Sequence, residues 1–105
     1  MRKITELASS AFKHYEPFKL GNTQVVVNPL GGVSIKLHGN TIATLCGSVL
    51  VMRDCGYRTN TTKERLNGIC KELGVGKCFT QKKGAWYFGS DVFNGEITIN
   101  LKDIK

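Results

Sequence analysis

The chain has 105 residues, 15 of them Lys or Arg and 8 Asp or Glu, for a formal net charge of +7; 41% are hydrophobic and 22% charged. Apolar residues are plentiful and evenly spread, which excludes disorder as the main state, and a chain of this length buries roughly 60–70% of its unfolded surface without metal or disulfide staples. No apolar run approaches the roughly 18–20 residues of a membrane span.

The elements follow in chain order. Ile4, Leu7, Ala8, Ala11, Phe12 and Tyr15 recur at three- and four-residue steps, which predicts an amphipathic helix over about 3–15 with Ser9 on its polar side. Pro17 predicts its end at Glu16. Glu6 interrupts the stretch after Arg2 and Lys3, so the start does not read as a signal peptide. Strands are predicted at Gln24–Asn28, at Val33–His38 by alternation, at Thr41–Cys46 and at Val49–Arg53. The intervening turns, Pro29–Gly32, Gly39-Asn40 and Gly47-Ser48, are short, so neighbouring strands are expected to be antiparallel.

A polar connection, Asp54–Asn60, leads to a second helix. Thr61-Thr62-Lys63-Glu64 has capping-box spacing, with Thr61 as the cap and Glu64 reaching back. Leu66, Ile69, Cys70 and Leu73 supply its apolar face, and Gly74 its end. Gly68, which costs a helix roughly 1 kcal/mol against alanine, points to close packing against the sheet. Lys77–Gln81 and Ala85–Gly89 flank a Lys82-Lys83-Gly84 hairpin turn, and Glu96–Leu101 alternates as a last strand. The expected fold is a single α+β domain over residues 1–105. It has a mainly antiparallel sheet, two helices packed on one face and the order α-β-β-β-β-α-β-β-β.

Leu20–Thr23, Leu37–Ala43, Gly56–Asn67 and Gln81–Tyr87 occur in this order, and Thr59–Asn67 is the most specific of these stretches. Together they resemble a group of short, uncharacterised proteins encoded by tailed bacteriophages, over roughly residues 1–90. The resemblance implies a phage product acting in the cytoplasm of an infected bacterium. It supplies no catalytic residues, and the Val92–Lys105 tail lies outside it.

Charge is unevenly placed. Residues 53–83 hold eight basic and three acidic groups, a net +5 in under a third of the chain. The block contains the start of the second helix, where free amides and the helix dipole favour an anion. Lys63, Asn67 and Lys71 share one helical face that can track a phosphate backbone. Arg58, Thr62, Lys63, Arg65, Lys71, Lys82 and Lys83 are therefore the expected phosphate contacts, and Tyr57 the expected stacking ring. Alternation puts Trp86 and Phe88 on one face, read as core, with Tyr87 opposite. The element order also resembles the double-stranded RNA-binding domain in topology, but the strands after the second helix do not fit it.

The leading expectation is a non-enzymatic protein that binds DNA or RNA through its backbone. A second, from another class, is a module that inhibits or redirects a host protein through an aromatic–Arg hot spot of Tyr57, Arg58 and Trp86. Enzyme readings are weak: a His38–Cys46 pair has no orienting group, and phosphate-loop and dinucleotide motifs are absent. Cys46, Cys55, Cys70 and Cys78 lack zinc-ligand spacing and are expected as free, mostly buried thiols in a reducing compartment. No cofactor, metal or membrane partner is expected.

Overall fold

The computed structural model describes residues 2–103. Helix α1 (Lys3–Lys13) precedes five strands: β1 (Phe18–Leu20), β2 (Thr23–Val27), β3 (Val33–Leu37), β4 (Asn40–Cys46) and β5 (Val49–Arg53). Helix α2 (Asn60–Glu72) follows, then β6 (Phe79–Lys82), β7 (Ala85–Phe88), β8 (Asp91–Val92), β9 (Glu96–Asn100) and a 3-10 turn at Leu101–Asp103. Six strands form one antiparallel sheet in the order β1-β2-β3-β4-β5-β9, and β6-β7-β8 form a second, three-stranded sheet. The α+β class and the antiparallel pairing are as expected. The strands β1 and β8 are additional, and too short to produce a readable alternation.

The large sheet buries one face. Val25, Ile35, Ala43 and Met52 lie in cross-strand register, as do Val33, Leu45 and Leu50, and all are buried. The register shifts between Ile35 and Lys36, so Ile42 and Ala43 are both buried although adjacent. Such a bulge re-aims one residue of a strand. The β3–β4 turn is His38-Gly39, one residue earlier than expected, with φ of 51° and 81°. Positive φ at both positions makes it a hairpin turn matched to the right-handed strand twist. Lys83-Gly84 closes β6–β7 in the same way, with φ of 52° and 82°.

Both helices pack on the buried face, α1 over β2 and β3 and α2 over β4, and they also pack on each other. The buried face of α1 is rotated from the expected stripe. Thr5, Ala8, Ser9, Ala11 and Phe12 are buried, whereas Leu7 is 42% exposed and Tyr15 is also exposed. The cause is α2: Gly68 approaches so closely that a Cβ there would lie 2.5 Å from both Ser9 Oγ and Thr5 Cγ2. Gly68 therefore accommodates α1, not the sheet. The helix also stops earlier than Pro17 requires. Glu16 N donates to Ala11 O at 2.8 Å and Tyr15 takes φ 55°, the left-handed closure of a helix end.

The small sheet wraps α2 with an aromatic cluster. Phe79 lies 4.9 Å from Phe88, 5.0 Å from Phe93 and 6.4 Å from Trp86, measured between ring centroids. Trp86 is 0% exposed and Phe88 is buried, so the core assignment from alternation holds.

Candidate nucleic-acid interface

The second helix begins two residues earlier than its capping-box signature suggests. Thr59 is the cap, its Oγ1 accepting from Thr62 N at 3.1 Å, and Thr62 is buried behind it. Glu64 does not reach back to the cap. It accepts from Arg2 Nε and Arg65 Nη1, each at 2.9 Å, and from the Thr5 hydroxyl. The Thr5 hydrogen bond, with the Arg2 and Arg65 guanidiniums, holds its carboxyl below the usual glutamate range. Thr62 is buried, with its Oγ1 3.1 Å from the Oγ1 of the capping Thr59, so its hydroxyl is turned into the fold and away from the phosphate role expected of it.

Two arginines of that set are also consumed inside the fold. Arg65 is 2% exposed and donates to Thr23 Oγ1 at 3.1 Å, to Thr5 Oγ1 and to Glu64. Burial, then the neighbouring Arg2, pushes its pKa down; arginine nevertheless stays charged in proteins, and a buried charge must be paired. Its partners are on β2, α1 and α2, so it ties three elements together. Arg58 donates to Asp54 Oδ2 at 2.8 Å and to Phe93 O at 3.0 Å, and its guanidinium carbon lies 5.8 Å from the Trp86 and Phe93 ring centroids. It latches the 54–58 connection onto the aromatic cluster.

The lysines are arranged differently. The Asn67 side chain clasps the backbone of β6: Phe79 N donates to Oδ1 at 2.6 Å and Nδ2 donates to Phe79 O at 2.9 Å. One turn earlier on α2, Lys63 Nζ donates to Gln81 Oε1 at 3.3 Å. Four helical residues advance about 6 Å and two strand residues about 6.6 Å, so α2 and β6 run alongside each other in step. Lys71 and Lys77 line one surface concavity near the end of α2, and Lys82 and Lys83 follow Gln81 at the β6–β7 turn, with Lys82 on the opposite strand face from Phe79 and Gln81. Lys71, Lys77, Lys82 and Lys83 are exposed and Lys63 half-exposed. Among the described residues the ion pairs are Arg2–Glu64, Arg53–Glu96, Arg58–Asp54 and Arg65–Glu64, and none involves these five lysines. The stem of Lys77 lies over Gly89, which leaves its ammonium at the surface.

A cavity of about 350 Å³ opens on the other side of the start of α2. Its floor includes Leu37 and Ile42, and its rim His38, Asn40, Tyr57 and Thr61. Tyr57 is 60% exposed, as expected of it. The loop that carries it is pinned: Gly56 N donates to Asp54 Oδ1 at 2.9 Å, Tyr57 N to Asp54 O at 2.9 Å, and Cys55 Sγ to Thr41 O at 3.0 Å. The expected site thus divides. Lys63 and Lys71 lie on α2 and Lys82 and Lys83 at the neighbouring β6–β7 turn, Tyr57 lines the cavity, and Arg58, Thr62 and Arg65 are structural. Lys77 belongs to the basic block without being an expected contact, Thr61 is the expected cap and Asn40 an expected turn residue; nothing in the sequence marks the cavity, because its walls come from two separate stretches, 37–42 and 54–62.

A profile of the Kyanoviridae Gp96 protein family matches residues 1–101. The chain belongs to that family. It is therefore a phage protein, in agreement with the resemblance, and the match takes in β9, which the resemblance left out. Neither the curated proteins nor the solved structures give a match. Among the described residues no helix is long and apolar enough to cross a membrane. The four cysteines are unpaired, but their burial departs from expectation. Cys46 and Cys78 are exposed, Cys55 is half-buried and only Cys70 is buried, its thiol pushed up to about 12 by burial and, less, by Cys78.

Proposed function

We propose that this phage protein is a non-enzymatic accessory factor that binds nucleic acid through backbone phosphates in the host cytoplasm. The contacts are Lys63, Lys71, Lys77, Lys82 and Lys83, with Tyr57 at one end. The observation that carries the reading is the division of labour among the cations: among the described residues the ion-paired ones are all arginines, while Lys63, Lys71, Lys77, Lys82 and Lys83 have no carboxylate partner. The twelve helical residues from Asn60 to Lys71 span about 18 Å, room for about five phosphates along one strand of a duplex. Neutralising five phosphates releases condensed counterions, so the logarithm of affinity falls with the logarithm of salt at a slope of about −4.5 on duplex and about −3.5 on a single strand.

The host-protein reading loses most of its hot spot. Trp86 is wholly buried and Arg58 is engaged internally, which leaves Tyr57 alone of the three. Titrating labelled DNA and RNA oligonucleotides at two ionic strengths, read by fluorescence anisotropy, tests the proposal. Binding at low salt that weakens steeply at higher salt supports it, and no binding of either polymer at low salt overturns it.

A further inference from the structure

We propose that the cavity beside the start of α2 receives one unpaired nucleobase from the bound strand, with the Tyr57 ring as its stacking surface. This deepens the phosphate-binding reading and rests on it. Three observations converge. First, the cavity of about 350 Å³ falls at the size of a small-molecule site. Second, its chemistry suits a flat, neutral, polar ring. Leu37 and Ile42 give an apolar floor, and Asn40, His38 and Thr61 give hydrogen-bonding groups at the rim. The one carboxylate in the lining, Asp54, is already spent on Gly56 N and Arg58 Nε.

Third, an exposed aromatic ring is held on an unusually well-anchored loop. Asp54 alone organises the turn through both carboxylate oxygens and its carbonyl, and Asp54 N donates to Gly95 O at 3.0 Å. Cys55, at φ 55°, is fastened to β4 through Thr41. A loop fixed in this way presents Tyr57 at the cavity mouth with little ordering cost on binding, the arrangement that makes stacking effective. Lys63 stands on the same first turn of α2, so a strand crossing the helix start places phosphates on Lys63, Lys82 and Lys83 and turns a base into the cavity. A base held in a duplex is not free to enter, so single strands are preferred.

The test uses the full chain and three probes of equal phosphate number: a single-stranded oligonucleotide, the same backbone with abasic sugars throughout, and a duplex. Tyr57→Ala is expected to weaken single-strand binding about tenfold and to leave binding of the abasic strand unchanged; the abasic strand itself binds wild type correspondingly less. Tyr57→Trp retains or strengthens single-strand binding. Near-ultraviolet circular dichroism of Trp86 confirms that each variant is folded. If the abasic strand binds wild type as tightly as the normal one, or Tyr57→Ala binds the normal strand as tightly as wild type does, the cavity assignment is overturned while phosphate binding stands. If no probe binds at low salt, both are overturned.

Discussion

Gly68→Ala is the sharpest test of how the two helices meet. In an isolated helix this change stabilises by about 1 kcal/mol, because alanine is the better helix former. Here the added Cβ meets Ser9 Oγ and Thr5 Cγ2 at 2.5 Å, about 1 Å inside ordinary contact. Thr5 cannot swing away without giving up its hydrogen bonds to Glu64 and Arg65. Overpacking of a filled core costs about 1–3 kcal/mol, and two simultaneous overlaps place this case at the upper end. After the helix-propensity gain, the net destabilisation is about 2 kcal/mol, a fall in Tm of roughly 10 °C for a chain of this size. Urea denaturation monitored by Trp86 fluorescence measures it. In a Thr5→Ser, Ser9→Ala background both obstructing atoms are gone, and Gly68→Ala becomes neutral or stabilising. A Gly68→Ala protein as stable as wild type would refute the close approach and, with it, the explanation of the rotated α1 face.

Other outcomes follow from single groups. Glu64 has a depressed pKa in the fold, so its contribution to stability is present above the pH where an unfolded glutamate titrates and is lost as pH falls through the lower folded value; Glu64→Gln should flatten that acid limb in pH-dependent unfolding. Asn67→Ala leaves Phe79 N without its partner and detaches β6 from α2, costing about 1–3 kcal/mol; equilibrium unfolding gives the cost, and a change in Trp86 emission reports the loosened sheet. Cys46 and Cys78 should react quickly with a thiol reagent, Cys55 slowly, and Cys70 only on unfolding; mass spectrometry of a labelling time course distinguishes the sites, and fast labelling of Cys70 contradicts its burial.

Local signals in the sequence were sufficient wherever an element is long and patterned by its own neighbours. β5 runs from Val49 to Arg53 as expected, α2 lies within two residues of its expected span, and Trp86 and Phe88 are core as their spacing requires. What could not be read locally depends on partners far along the chain. Arg65 resembles any surface arginine in its helix, yet its ligands Thr23 and Thr5 lie 42 and 60 residues away. The same cluster explains why Thr5 and Ser9 displaced Leu7 from the buried face of α1. Glu64 fitted a capping box by spacing but is drawn to Arg2, Thr5 and Arg65, which leaves Thr59 to cap. Charge and residue type alone do not distinguish the eight expected contacts from one another. Only the folded chain separates the lysines that face solvent from the arginines that hold it together.

The salt dependence of single-strand affinity, compared between wild type and a variant with Lys63, Lys71, Lys77, Lys82 and Lys83 all changed to Gln, tests that separation most directly. The account predicts a slope of about −3.5 for wild type, a slope near zero for the variant, and unchanged thermal stability, since each lysine accounts for about 0.7 of the slope. A variant that keeps the wild-type slope while folded would show that the phosphates are held elsewhere on the molecule.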